Sequence, residues 1–528
     1  MKFFRFRTAL SLPAIVALLF IGNPSLTISS RAAGFYDEPF RPLFHFSPAK
    51  DWMNDPNGLV FYDGEYHLFY QHNPFGDKWG HMSWGHAVSR DLVHWEHLPL
   101  ALAEENGVMI FSGSAVVDWK NTSGFGQNGQ PPMVAIYTGH YTSKPLQNQN
   151  IAYSNDRGRT WTKFSGNPVL DIGARDFRDP KVSWHEPTKR WVMTVAWPAQ
   201  RMVRFYASPN LKAWTHLSDF GPAGSTSGVW ECPDLFPLPV GQKTKWVLIV
   251  NVSSDAPAGG SGCQYFVGDF DGTQFTPDPA LPAGKAPLWA DFGPDFYAAV
   301  SWSDIPQQDG RRLWLGWMSN WTYANDVPTS AWRNAMSIPR ELSLRQIADG
   351  LRLLQKPVRE MEKLRGAHYE FKGGSIAEAN GWLKANSLHG NSLEIVVEFL
   401  PPGKGSQGLK LLQGPEEETV VGVDRDHGRI YLDRKRSGNV TFHPKFSGQH
   451  VAPLSAPGNR VRLHIFIDAC SVEVFANNGE QVLTDLVFPS PGSDGLEFFA
   501  PTENARILAV DIWPLKSSWI SEPILKNN

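Results

Sequence analysis

Ser89-Arg90-Asp91-Leu92-Val93-His94-Trp95 decides the fold, because its plan returns. Ser154-Asn155-Asp156-Arg157-Gly158-Arg159-Thr160-Trp161 repeats it, and Ser208-Pro209-Asn210-Leu211-Lys212-Ala213-Trp214 repeats it again. Gly268-Asp269-Phe270-Asp271-Gly272-Thr273-Gln274-Phe275 is a weaker relative. Successive copies start 65, 54 and 60 residues apart. Each follows an aromatic or β-branched run, carries turn formers and closes on an aromatic. That is a hairpin whose polar turn is plugged by a ring. Other strand-like runs lie between the copies. Leu59-Val60-Phe61-Tyr62 and Tyr66-His67-Leu68-Phe69-Tyr70 are joined through Asp63-Gly64, and Val247–Val250 and Leu313–Trp317 follow. A period near 60 residues with several strands per unit describes a propeller blade, and roughly 320 residues make five. The competing reading is a β-sandwich with accidental hairpin similarity.

Beyond residue 351 the texture changes. Leu351 to Leu364 reads as a strand end and a short helical connector. Farther on, Val461, Leu463, Ile465 and Ile467 alternate with Arg462, His464, Phe466 and Asp468, as in a half-buried strand. Asn391 to Leu400 is another strand candidate, and Asn477-Asn478-Gly479 turns the chain into the strand from Gln481. The expected fold is all-β: a five-bladed propeller over residues 34–352, a linker over 353–370, and an antiparallel β-sandwich over 371–528.

The 528 residues exceed one ordinary core, and 42% apolar with 19% charged residues suits a folded chain. The 21 Trp and 32 Phe suit sugar stacking and an all-β core alike. Formal net charge is -3, and no Lys/Arg run points to nucleic acid. Lys2, Arg5 and Arg7 precede a mostly apolar stretch from Ala9 to Ile21, with small residues at Ser30, Ala32 and Ala33. This is the layout of a signal peptide over residues 1–33, and the stretch is too short to span a bilayer comfortably. Its removal takes away four basic residues and leaves a charge of -7. The mature form is expected outside the cell or in the periplasm, with no membrane segment. Cys232, Cys263 and Cys470 allow at most one internal disulfide. No Cys or His cluster has zinc-ligand spacing, so no cofactor or metal is expected. Nothing in the sequence sets an oligomeric state.

Three stretches carry carboxylates in settings suited to chemistry: Trp52-Met53-Asn54-Asp55-Pro56-Asn57-Gly58, Arg178-Asp179-Pro180 and Glu231-Cys232-Pro233. Cleaving a sugar bond with retention takes a carboxylate nucleophile and a carboxyl proton donor. A propeller brings the inner strands of all blades to one axis, so Asp55, Asp179 and Glu231 can meet there. Each has a bland reading beside the chemical one. Asp55-Pro56-Asn57-Gly58 is an ordinary turn signal, Arg178-Asp179 can be a local ion pair, and Glu231 a surface residue at a strand start. In the chemical reading Arg178 holds Asp179 ionised. Apolar neighbours make Glu231 costly to ionise, as a proton donor requires.

Taken together, these stretches resemble the signature blocks of glycoside hydrolase family 32, the invertases, inulinases and levanases. Gln71-His72-Asn73-Pro74, Phe111-Ser112-Gly113-Ser114, Trp317-Met318-Ser319-Asn320-Trp321 and Ser337-Ile338-Pro339-Arg340-Glu341-Leu342 are similar to further blocks. Asp468-Ala469-Cys470-Ser471-Val472-Glu473-Val474-Phe475 is similar to the family's sandwich. His72 stands where Tyr is common. The resemblance implies cleavage of β-fructosidic bonds with retention. Asp55 would be the nucleophile, Glu231 the general acid/base and Asp179 the transition-state stabiliser. Asn54, Gln71, Ser112 and Arg178 would bind the terminal fructosyl unit, and Trp79, Phe111 and Trp321 would wall it. It also implies Asp55 and Glu231 carboxyls about 5–5.5 Å apart. The expected activity is exo-acting release of fructose from levan or inulin, and from sucrose. A sucrose-specific invertase or fructosyltransferase would use the same three carboxylates. A sialidase would explain the Ser154–Trp161 turn, but no arginine cluster with a tyrosine nucleophile is evident. A non-catalytic sugar-binding protein would leave Asp55 and Glu231 without a purpose.

Overall fold

The computed structural model describes residues 36–278, 287–347, 349–400, 403–454, 460–501 and 505–519. The expected signal peptide lies outside them. Residues up to Pro357 build five mainly antiparallel sheets, each from consecutive strands, and the first also takes up Trp332–Arg333 in parallel beside Asp51. Their first strands are Asp51–Tyr62, Val108–Val117, Arg178–His185, Trp230–Val240 and Tyr297–Ser301. These five pack against one another around a ring, the fifth closing on the first. Phe61 and Ser303 complete the closure through backbone hydrogen bonds of 3.0 Å (Phe61 N to Ser303 O) and 2.9 Å (Ser303 N to Leu59 O). The architecture is a five-bladed β-propeller.

The sequence repeat marks one place in every blade that carries it, the turn from third to fourth strand. Asp91 Oδ1 accepts the backbone N–H of Val93 and His94 at 3.2 and 2.9 Å. Asn210 Oδ1 does the same for Lys212 and Ala213 at 3.1 and 3.0 Å. Asp271 Oδ1 holds Thr273 and Gln274 at 2.7 and 2.8 Å, and Asp156 Oδ1 holds Thr160 at 2.9 Å. The closing Trp95, Trp161 and Trp214 each donate the indole N–H to a carbonyl three residues back. A side chain mimicking a backbone turn explains the Asp or Asn at that position. Blade five pairs Arg340–Ile347 with Gly350–Pro357 through a tighter hairpin, which is why the repeat stops at four copies. Pairing carries this blade to Pro357, five residues past the expected edge at 352.

After the 3-10 helix Arg359–Leu364, the second domain stacks a seven-stranded on a five-stranded antiparallel sheet. One helix, Ile376–Ala385, opens on a Ser375/Glu378 capping box. Val461, Leu463, Ile465 and Ile467 enter the sandwich core. Phe466 and Asp468 were expected on a polar outer face, yet both are fully buried. The propeller covers that face. Arg340 bridges Asp291 at 3.0 Å and Glu473 at 2.6 Å, while Arg434 pairs with Asp295 at 2.6 Å. His45 sits between Asp468 at 2.7 Å and Glu473 at 2.9 Å. The motifs around Arg340 and Asp468 thus hold the two domains together.

Candidate active site

All five inner strands break register near the same end of the axis. The irregularities fall between Met53 and Pro56, Phe111 and Gly113, Glu231 and Asp234, and Tyr297 and Val300. In the third blade the break lies opposite Asp179 and Pro180, between Thr194 and Ala196. A bulge swings one side chain out of the alternation. Proline follows Asp55, Asp179 and Cys232, so at three of the five breaks the ladder lacks a donor. Asp179, Cys232 and Ala298 have positive φ values of 67°, 44° and 52°. Such backbone in non-glycine residues is strained and held by its surroundings.

The side chains released by these breaks meet in one cavity of about 350 Å³. Asn54, Asp55, Gln71, Trp79, Phe111, Ser112, Arg178, Asp179, Glu231 and Trp321 all line it, as do His140, Gln147 and Asp176. Asp55 Oδ2 accepts the Ser112 hydroxyl at 2.7 Å and Oδ1 the Asn54 amide at 3.0 Å. Asn54 is itself oriented by the Trp52 indole N–H at 2.8 Å. Asp179 Oδ2 accepts the Cys232 backbone N–H at 2.9 Å. The Cys232 thiol lies between the two aspartates, 3.5 Å from Asp55 Oδ2 and 3.6 Å from Asp179 Oδ2. Cys232, one residue from Glu231, thus joins all three acids. Gln71 donates to the Ile110 carbonyl at 2.9 Å. His72 contacts the Trp52 carbonyl through Nδ1 at 2.8 Å and so fixes the strand that carries Asp55.

Two expectations are corrected here. Arg178 has Glu231, not Asp179, as its closest carboxylate partner at the site. Its Nε and Nη2 donate to Glu231 Oε1 at 3.1 and 2.8 Å, and it only approaches Asp179, at 4.0 Å. Nor is Glu231 among apolar groups, because its other oxygen, Oε2, accepts the Tyr297 hydroxyl. The bulge at Cys232-Pro233 turns Glu231 toward the neighbouring blades rather than into its own apolar sheet. The electrostatics follow from this sharing. Burial pushes the Asp179 carboxyl up to about 7, with Arg178 opposing and the charges of Glu231 and Asp55 reinforcing. Burial likewise raises Asp55, against the hydrogen bonds of Ser112 and Asn54. Burial holds the Cys232 thiol and the Tyr297 hydroxyl protonated, so both remain donors.

Sequence reasoning missed Tyr297, Cys232, His140, Gln147 and Asp176. Arg178 Nη1 donates to Gln147 Oε1 at 3.1 Å and to Asp176 Oδ1 at 3.2 Å, which fixes the guanidinium plane. His140 lies flat on Phe111, ring centres 4.4 Å apart and 3° from parallel. Cys232 lies inside the Glu231-Cys232-Pro233 stretch, beside the acid that draws the chemical reading. Tyr297 opens an apolar strand and carried no signal apart from its place at the start of a blade. Among the described residues, no group of three or more His, Cys, Asp or Glu is arranged to hold a metal ion.

Residues 45–357 match the model of the glycosyl hydrolases family 32 N-terminal domain, and residues 360–514 that of the family 32 C-terminal domain. The chain is 51% identical to the levanase of Bacillus subtilis over 97% of its own length and 76% of the levanase. It is 40% identical to the extracellular exo-inulinase of Aspergillus niger, over 92% of this chain and 96% of that one. The crystal structure of Aspergillus awamori exo-inulinase superposes with a TM-score of 0.85 at 38% identity, covering 92% of this chain and all of the other. The β-fructofuranosidase of Schwanniomyces occidentalis, solved with fructosyl-erythritol, superposes with a TM-score of 0.81 at 32% identity over 92% and 99% of the two chains.

Proposed function

This chain belongs to glycoside hydrolase family 32, and from that premise we propose that it is a secreted, retaining, exo-acting hydrolase of fructans. It releases terminal fructose from levan or inulin and from sucrose. The carrying observation is that Asp55, Asp179 and Glu231, from three separate blades, line one cavity together. Likeness to a levanase and to exo-inulinases over nearly the whole chain supports the substrate class.

In this reading the anomeric C2 of a terminal fructosyl unit sits beside Asp55. Ser112 and Asn54 hold the attacking carboxylate in one orientation. Glu231 gives its proton to the departing glycosidic oxygen as Asp55 bonds to C2. It then takes a proton from water, which releases fructose and frees Asp55. Asp179 accepts hydrogen bonds from ring hydroxyls, and those strengthen as positive charge grows on the sugar. Arg178 and Tyr297 hold Glu231 in place through both stages, donating to either oxygen. Gln71 joins Asn54 and Ser112 in binding the fructosyl hydroxyls, and Trp79, Phe111 and Trp321 supply apolar walls. A polar site that leaves a hydroxyl unpaired loses about 1–3 kcal/mol per group, which separates fructosyl from other sugars.

The test is Asp55→Asn. It should fold normally and lose turnover on levan, inulin and sucrose by roughly 10⁴-fold or more. Wild-type turnover in that variant rules out Asp55 as nucleophile. Proton NMR of the first product formed by the active enzyme should show β-fructofuranose before mutarotation, and the inverted anomer would reject retention. Chromatography of levan digests should show fructose alone at early times, whereas a ladder of oligosaccharides would mean endo action.

A further inference from the structure

The axis of the propeller has a second mouth. The inner strands pass from the active-site end to an opposite end, where their later residues line a cavity of about 530 Å³. Val116 and Val117, Lys181 and Ser183, Asp234 and Leu235, and Ser301 all lie beyond the functional residues on the same strands, and Ser303 and Asp304 follow just past the last of them. The two cavities are separate. Between them the Ser114 hydroxyl donates to the Pro180 carbonyl at 2.9 Å and accepts the Val182 N–H at 3.0 Å, stitching blade two to blade three.

This cavity has the chemistry of a site for a neutral polyhydroxy ligand. Trp119 is 59% exposed, an unusual cost for so large an apolar ring. It is held in place, because its indole N–H donates to Asp304 Oδ1 at 2.9 Å. Asp304 is pinned in turn by the Val117 N–H at 3.0 Å on its other oxygen. Trp184 and Trp246 add aromatic wall. On the floor stand the cations Lys181 and Arg312 and the acids Asp234 and Asp304. Asp234 and Ser301 are fully buried, and each carries a side-chain oxygen with no hydrogen-bond partner, Oδ1 and Oγ respectively. Paired acids and bases disfavour a strongly charged guest, while indole faces beside fixed donors and acceptors match the C–H faces and hydroxyls of sugar rings.

We infer that the second mouth is a non-catalytic binding site for a stretch of fructan chain, gripping the polymer while its ends are trimmed at the first mouth. The inference rests on the fructan reading above, and its test separates the two. Asp55→Asn titrated calorimetrically with a short inulin-type oligosaccharide should bind at two sites, and Asp55→Asn/Trp119→Ala at one. In otherwise wild-type enzyme, Trp119→Ala should leave kcat/KM for sucrose within about twofold and raise KM for levan by roughly 3- to 10-fold, about 1 kcal/mol. Trp119→Phe, which keeps a ring, should recover part of that affinity. Free fructose and a maltooligosaccharide serve as controls. Tighter binding of the maltooligosaccharide than of the fructan at this mouth overturns the assignment. A single site in Asp55→Asn, or an unchanged KM for levan in Trp119→Ala, overturns it as well. Failure of the fructan reading itself would show separately, as wild-type enzyme that releases no fructose from levan or inulin.

Discussion

The domain interface and the catalytic cavity both gather buried charge, and they balance it in opposite ways. At the interface every charge has close partners. Arg340 meets two carboxylates and lies over the Phe296 ring, 4.1 Å from its centre. Arg434 meets Asp295, the Tyr323 hydroxyl and two backbone carbonyls. His45 bridges Asp468 and Glu473, and those contacts raise it to about 9 although burial alone would lower it. In the cavity one guanidinium faces Asp55, Asp176, Asp179 and Glu231. It pairs closely with Glu231, which leaves Asp55 and Asp179 short of compensation. A closed shell of ion pairs fixes geometry between domains. An open one stores electrostatic cost that a cationic, oxocarbenium-like transition state relieves.

Truncating each arginine tests that contrast most directly. Arg340→Ala strips Asp291 and Glu473 of a partner inside a fully buried network, so unfolding free energy should fall by about 3–5 kcal/mol. Urea titration would measure it, and activity at low temperature should largely survive. Arg178→Ala should do the reverse. Its partner Glu231 is partly open to the cavity, so stability should change little while kcat/KM falls by about 10²–10³-fold. Stable but inactive Arg340→Ala, together with unfolded Arg178→Ala, would break the distinction.

Tyr297→Phe sharpens the comparison on a smaller scale. It removes one donor from Glu231 and adds no charge. A hydrogen bond to a charged group contributes about 1.5–3 kcal/mol, so kcat should drop by roughly 10- to 100-fold with thermal stability intact. Undiminished kcat would mean that Arg178 alone positions the acid/base.

The propeller was legible because its turns are local. An Asp or Asn that caps its own hairpin leaves the same mark wherever the hairpin recurs, and four of the five blades carry it. The acids were legible for a related reason, since a proline stands within two residues of each one. Charge partners across blades were not. Nothing near Arg178 announces that its guanidinium turns 53 positions down the chain to Glu231 rather than one residue on to Asp179. Tyr297 reaches Glu231 from 66 residues away, out of a strand that reads as plain core. The burial of Phe466 and Asp468 was hidden likewise, because strand periodicity reports one covered face and is silent about a second domain on the other. Hence the residues that the family resemblance points to line one cavity, while reasoning from neighbours in sequence misplaced the closest partner of Arg178.

The finest test of the contrast is pH, because the two regions titrate in different windows. Asp179 in the folded chain is raised to about 7 from an ordinary 3.8. The folded state therefore holds a proton that the unfolded chain has released, and stability is lost as pH rises from about 4 to 7, by up to about 1.4 kcal/mol per pH unit. Asp179→Asn has no such cost. It should melt higher than wild type at pH 8, with the gain vanishing toward pH 4, while activity is crippled. His45 is raised from 6.5 to about 9, so its ion pairs contribute fully below pH 6.5 and are lost as pH climbs through 9. His45→Gln should be less stable than wild type at pH 6, and that deficit should shrink toward pH 10. Both groups make stability fall with rising pH, one from a charge left short of partners and the other from a charge fully partnered. Melting curves for both variants between pH 4 and 10 should resolve two separate steps. A single shared step would mean that cavity and interface are electrostatically one network.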